Sequence, residues 1–250
     1  MLGYAVMKRV DTSPSPSQKG YGYYQDGLYT AHNREFIEQP DFASAYARGL
    51  KAAQGVNPHH HWRVHVALWA AKQALRVKGD YVECGVNAGF MSCAIMQALN
   101  WNLLDRHFYL IDSFEGPSLT QLTEDEIESG LEEQLNRAIV NGGYVTDMQR
   151  IHLNFSDWTR AHVIQGFVPD ALEKINTERV AFLHLDMNAA YPEKIALKHF
   201  WEIMEPGAVV LLDDYAYFGY RPQKSAIDEV AATLGFDLLT LPTGQGLIVK

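Results

Sequence analysis

An α/β fold, in which a mostly parallel seven-stranded sheet carries helices on both faces and ends in a C-terminal antiparallel hairpin, is predicted by three observations. Short, almost continuously apolar runs alternate with helical stretches of ten or more residues, the pattern of strands buried on both faces of a parallel sheet. Only "TGQG" separates the last two strand-like runs, too short for a crossover, so those two pair antiparallel. The chain of 250 residues is 47% hydrophobic, enough for one large core with or without an appended segment.

The elements follow in order. Residues 1–20, with their serines and prolines, bury too little surface to order themselves and are expected to form a mobile tail. Residues 21–78 are expected to form an N-terminal helical and lid segment. It begins with the aromatic and polar stretch "YGYYQDGLYTAHNREF", continues with a short helix from about Asp41 to Gln54, and ends in "HHHWRVHVALWAAKQALRV". That last run puts Trp62, Val66, Trp69 and Gln73 on one side of a helix and Val64, Leu68, Ala71 and Leu75 on the other. Residues 79–250 form the main domain. Strand 81–84 is followed by a helix from Gly89 to about Asn100, strand 107–112 and a polar helix from Glu124 to Val140. Met148, Ile151, Phe155 and Trp158 recur at helical spacing in "VTDMQRIHLNFSDW", although its β-branched residues tempt one toward a strand. Strand "HVIQG", a turn and helix at "VPDALEK", strand 179–186, helix 192–204, strand "AVVLLDD" and helix 223–234 precede the closing hairpin.

Thirty acidic against 21 basic side chains give a net charge of -9, which repels nucleic-acid phosphate and anionic membrane surfaces. No apolar run approaches the roughly 20 residues that span a bilayer, and the N-terminus lacks the basic region and apolar core of a secretion signal. A cytoplasmic protein is expected, with neither nucleic acid nor membrane as partner. Cys84 and Cys93, the only two cysteines, fit reduced and partly buried thiols better than a disulfide framework.

Ligands of a doubly wound sheet gather at the carboxyl ends of its strands, where the strand order reverses. The first main-domain strand ends "ECGVNAGF": Glu83 offers a carboxylate, Gly85 permits positive φ and close backbone approach, and Asn87 tolerates a left-handed conformation. Gly89 starts the helix close to the strand. The next strand ends in Asp112, which opens "DSFEGPS" and is placed to accept hydrogen bonds from both hydroxyls of a ribose. At the third tip, Gln165 and Gly166 could meet an adenine edge or form a plain turn. Asp186 ends the fourth strand, and Asp213 and Asp214 end the fifth, so three carboxylates converge and repel one another unless a cation lies between them. No Lys or Arg stands within three residues of any of them, which makes a hard divalent ion such as Mg²⁺ the expected counter-charge. Asp213 and Asp214 can converge only where the strand has begun to turn. In "NPHHHWRVH", His61 and His65 lie one helical turn apart with no Glu between them in metalloprotease order, and the imidazoles are expected to be exposed at a helix start.

In that order, "YVECGVNAGF", "FYLIDSFEGPS", "FLHLDMN" and "GAVVLLDDY" resemble the macrocin O-methyltransferase family, whose members methylate sugar hydroxyls of macrolide and aminocoumarin antibiotics. The resemblance covers about residues 60–250, and more loosely the segment from Gly20. It implies the Rossmann-like class I methyltransferase fold, in which the terminal hairpin inserts one antiparallel strand. It also implies S-adenosylmethionine (SAM) and Mg²⁺ as cofactors, with a small-molecule hydroxyl acceptor, most readily a sugar or glycoconjugate. Carried onto matching positions, Glu83, Gly85 and Gly89 would line the methionine part, Asn87 joins them in the cofactor-binding turn, Asp112 with Ser113 would hold the ribose, and Asp186, Asp213 and Asp214 would bind the metal. Asp186 or a histidine, with His32 and the run 59–61 as lid candidates, would take the hydroxyl proton. The family often reads D-G-D where this chain reads "DMN", so Asn188 replaces a second carboxylate. A nicotinamide-dependent oxidoreductase or a non-catalytic SAM-binding protein would use the first half of the same site, and a second copy of the chain is left open as a partner.

Overall fold

The computed structural model describes residues 22–250, so the tail expected at 1–20 lies outside the described residues. A hairpin comes first, β1 (Tyr23–Gln25) and β2 (Leu28–Thr30), joined through Asp26 and Gly27, whose positive φ angles of 54° and 69° suit a tight two-residue turn. Helices α1 (Pro40–Ala52) and α2 (His61–Ala74) lead into β3 (Asp80–Cys84), α3 (Phe90–Ala98) and β4 (Phe108–Asp112). Then come α4 (Glu124–Glu128), α5 (Leu131–Val140), α6 (Met148–Phe155), β5 (Ala161–Gln165) and β6 (Val180–Leu185). The chain finishes with α7 (Ala190–Trp201), β7 (Met204–Leu212), α8 (Arg221–Leu234), β8 (Leu239–Thr240) and β9 (Gly246–Val249). No helix among the described residues is long and apolar enough to cross a membrane.

The main sheet has the order β5-β4-β3-β6-β7-β9-β8, parallel from β5 to β7, with β9 inserted antiparallel between β7 and β8. The predicted class of sheet is therefore the observed one. Two elements differ in detail. The single helix expected over 124–140 breaks at Gly130, whose φ of 82° no helix interior accommodates. The run "VPDALEK" forms only a 3₁₀ turn over Asp170–Lys174.

Strand periodicity sorts the core into two layers. Tyr81 and Phe182 point toward α1, α2 and α3 and join Val64, Ala94 and Trp101. Val82, Cys84 and Leu183 point the other way, toward α7 and α8, with Phe200 and Ile227. The same alternation puts Glu83 and His184 on the α2 side of the sheet, directly opposite each other in the β3–β6 pairing. Of the two sides predicted for α2, the Val64, Leu68 and Ala71 side is the buried one, and Arg63 is buried with it. The strand order reverses between β3 and β6, and the cleft opens there.

Candidate active site

The turn after β3 is built by backbone demands. Gly85, Asn87 and Gly89 have φ of 94°, 47° and 82°. A Cβ on Gly85 would lie 1.9 Å from the carbonyl oxygen of Asp186, and one on Gly89 would lie 2.5 Å from the Phe155 ring. These glycines thus let neighbouring protein segments approach, a different reason from the ligand approach and helix-to-strand closeness expected of them. Asp112 organises the same turn: Oδ2 accepts from the backbone N–H groups of Val86 (2.7 Å) and Asn87 (2.8 Å), and Oδ1 from that of Phe114 (2.7 Å). Ser113 Oγ donates to the Gly116 carbonyl and accepts from the Glu115 N–H, which closes the "DSFEG" loop. Asn87 clamps the loop after α5, accepting from Val145 N–H and donating to the Gly143 carbonyl.

At the tips of β6 and β7 lies a buried ionic cluster. Glu83 Oε1 stands 2.9 Å from His184 Nδ1, and His184 Nε2 stops 3.8 Å from Asp213 Oδ1, held there by charge and not by a hydrogen bond. Arg63, reaching in from α2, pairs its Nη1 with Asp213 Oδ2, lies 3.5 Å from Asp214 Oδ1, and bonds Asp26 through Nε at 2.8 Å. Gln245 Nε2 donates to Asp213 Oδ1 at 2.8 Å. Burial opposes ionisation of Asp213, but Arg63 and then His184 outweigh it and hold that carboxyl well below the carboxylate range. Burial, followed by the Asp213 charge, pushes Asp214 up to about 7, and burial with both neighbours holds Asp186 high. Burial opposes a charge on His184, but the nearby Asp213 and Glu83 carboxylates outweigh it and raise it well above an ordinary imidazole.

Two adjoining cavities share Gly85, Asn87, Asp186 and Asn188. The smaller, about 110 Å³, runs past Asp112, Ser113, Pro117, Tyr144 and Gly166. The larger, about 460 Å³, takes in Glu83, His60, Arg63, Asp213, Asp214 and Tyr217. The cleft therefore collects Glu83, Gly85, Asn87, Asp112, Ser113, Gly166, Asp186, Asp213 and Asp214, all expected from sequence. It does not collect Gln165, whose amide turns to the Ser113 carbonyl, nor the side of Gly89, packed on Phe155. His32 is corrected as well: it sits exposed at a bend just beyond β2 and lines neither cavity. The run 59–61 is not simply exposed either. His61 stacks on Tyr46 at 4.4 Å, and His60 lines the larger cavity with Nε2 3.5 Å from Asp26 Oδ1.

A family model described as a methyltransferase domain matches residues 82–215, from the middle of β3 to just past Asp214. The chain belongs to that methyltransferase family. Among curated relatives, it is 26% identical over 175 residues to mycinamicin III 3''-O-methyltransferase of Micromonospora griseorubida, covering 64% of this chain and 67% of that protein. It is 28% identical over 145 residues to a rhamnosyl-tetracenomycin-C 4'-O-methyltransferase of Streptomyces olivaceus, covering 56% of this chain and 54% of that protein. The fold is shared with the O-methyltransferase NovP (TM-score 0.61, 20% identity, 75% of this chain and 79% of that one). It is also shared with the calicheamicin methyltransferase CalS11 (TM-score 0.58, 14% identity, 96% and 99%). The sequence reading of a SAM-dependent O-methyltransferase is borne out at the level of family and relatives, and the nicotinamide alternative falls with it.

The methyltransferase's cleft suits SAM. Glu83 Oε2 is buried without a partner while its residue lines the larger cavity, an acceptor for an ammonium group. The divalent ion does not find its donors in the same way. Asp213 spends one oxygen on Arg63 and the other on Gln245, and the same guanidinium faces Asp214. Among the described residues no group of three or more His, Cys, Asp or Glu side chains is placed to hold a metal. The counter-charge that sequence reasoning sought within three residues of the acids comes from 150 residues away.

Proposed function

We propose that this methyltransferase transfers the methyl group of SAM to a hydroxyl of a sugar-containing small molecule. The observation that carries the reading is the paired cavity at the β3–β6 reversal, with a glycine turn on one side and buried carboxyls on the other. The smaller cavity suits the adenosine half: Gly166, Phe167 and Val168 form one wall, and Asp112 Oδ1, with one amide bonded, keeps a lone pair for a ribose hydroxyl. Glu83 Oε2 suits the methionine ammonium. Bound SAM supplies an electrophilic methyl on a sulfonium sulfur.

Asp186 lines both cavities, and burial with the Asp213 and Asp214 charges raises its carboxyl, so its ionised form is a stronger base than an ordinary carboxylate and stands beside the acceptor space to take the hydroxyl proton as the O–C bond forms and the S–C bond breaks. Ala53, Val56, Pro58 and His60 wall the larger cavity, which supports a covering role for residues 21–78. Mg²⁺ receives no step, because its expected ligands are engaged elsewhere. A cytoplasmic setting belongs to the same reading, supported by two buried free thiols, Cys84 and Cys93. Radiolabelled SAM incubated with a panel of glycosylated and phenolic acceptors is the test. Label should enter a sugar-bearing acceptor, and transfer to phenols alone would overturn the sugar assignment.

A further inference from the structure

We infer that Arg63 is the resident cation of this active site, standing where a divalent ion was expected, so that methyl transfer by this chain requires no divalent metal. The inference rests on the methyltransferase reading and adds the identity of the charge that holds the acceptor-side acids together.

Arg63 is pinned from several directions. Asp26, delivered by the turn of the β1–β2 hairpin, takes Nε at 2.8 Å, while Asp213 takes Nη1 and Asp214 lies 3.5 Å from the same nitrogen. The Tyr217 ring lies 4.5 Å from the guanidinium carbon, a cation–π contact that steadies its plane. The side chain is only 4% exposed. A guanidinium does not give up its proton, so this positive charge persists at any working pH. For an ion to bind Asp213 and Asp214 it would have to expel a buried cation and leave it facing Asp26 alone, a costly separation of charge. On the far side of Asp213, Gln245 fills the second oxygen and is itself held by Thr243. The chemistry changes accordingly: a guanidinium orients and neutralises carboxylates but offers a hydroxyl no coordination site, so removal of the acceptor proton falls to a protein base.

The test uses the full chain and needs no acceptor. Free Mn²⁺ is followed by electron paramagnetic resonance as protein is added, with and without S-adenosylhomocysteine. Wild type should bind Mn²⁺ no more tightly than millimolar. Arg63→Met, which keeps the stem and removes the charge, should bind it at least tenfold more tightly, and adding Asp213→Asn should erase the gain. Micromolar Mn²⁺ binding by wild type that Asp213→Asn abolishes would overturn the inference. So would a folded Arg63→Met protein with no gain, and the wild-type titration decides by itself should that variant not fold. S-adenosylhomocysteine affinity measured by calorimetry on the same samples separates the two readings, because its absence counts against the methyltransferase site and leaves the Mn²⁺ result intact.

Discussion

At the tip of β4, Asp112 is held by three backbone amides, from Phe114 two residues away and from Val86 and Asn87 on the adjacent turn. At the tip of β7, Asp213 is held by a guanidinium 150 residues distant and an amide 32 residues distant. The cofactor side of the cleft is thus built from main chain within one strand-turn-helix and its neighbour, and its acid is neutralised by dipoles. The acceptor side is built from side chains on six separate segments, from the β1–β2 turn to the turn before β9, and neutralised by full charges. Backbone dipoles are fixed by the fold, whereas a buried ion network depends on each member, so the two sides should break differently.

The largest effect is expected on the cofactor side. Gly85→Ala drives a Cβ into the Asp186 carbonyl at a φ of 94°, exactly where β3 and β6 are still hydrogen-bonded through Asp186 N–H to the Cys84 carbonyl. Strain plus overlap should cost at least about 3 kcal/mol. Urea denaturation checks it, and a loss under about 1 kcal/mol would show that the turn yields easily.

Next in size is an asymmetry within the acceptor side. Asp213→Asn takes from the buried Arg63 and His184 the carboxylate they share, leaving them Asp26 and Glu83, and should cost about 3–5 kcal/mol. Asp214→Asn replaces a carboxyl already pushed up to about 7, half protonated near neutral pH, and should cost less than about 1 kcal/mol at pH 7. Thermal unfolding of the two variants side by side is the measurement; equal losses would mean the charge is shared evenly between the aspartates.

The same contrast decides what could be read from the sequence. Gly85, Asn87, Gly89 and Asp112 announce themselves because turn chemistry is local, and positive φ follows from residue type. Period-2 reasoning lets Asp213 and Asp214, read at the end of "AVVLLDD", converge only where the strand has begun to turn, and β7 does stop at Leu212. Arg63 was missed because no local rule pairs it with β7. The available signal was its position at helical spacing with Ala67, Ala70 and Ala74, a buried small-residue stripe that an arginine joins only with partners. Asp26 reads as a hairpin turn residue and is one, while its carboxylate does a second job that only the packing of the hairpin on α2 reveals. His32 and His60 are indistinguishable by composition, and the bend after β2 separates them.

Asp112→Ala should give the third effect. It strips the acceptor from three amide N–H groups and loosens the turn, for about 2–3 kcal/mol of stability and at least a tenfold loss of S-adenosylhomocysteine affinity by calorimetry. An unchanged affinity would remove Asp112 from the cofactor site and leave it a purely structural organiser.

The smallest effect concerns Glu193, on α7 beneath the acceptor side. Its Oε1 accepts from the Met187 N–H at 2.9 Å and so braces the turn between Asp186 and Asn188, while burial pushes its carboxyl from an ordinary 4.5 up to about 8. Between those two values the folded protein keeps a proton that the unfolded chain releases. The native state therefore binds more protons, and stability falls as pH rises through that window, by at most about 1.4 kcal/mol per unit. Glu193→Gln has nearly the same shape, can still accept from Met187 and carries no proton to lose. Urea midpoints at pH 5.5 and pH 8 should then show wild type losing more ground than the variant, with the gap opening toward alkaline pH. Asp214 contributes a slope of the same sign to both proteins, which is why the comparison is between the two slopes and not between absolute stabilities. Parallel pH profiles would mean that Glu193 is ionised in the fold, and that the acceptor side carries one more buried negative charge than Arg63 and His184 are placed to balance.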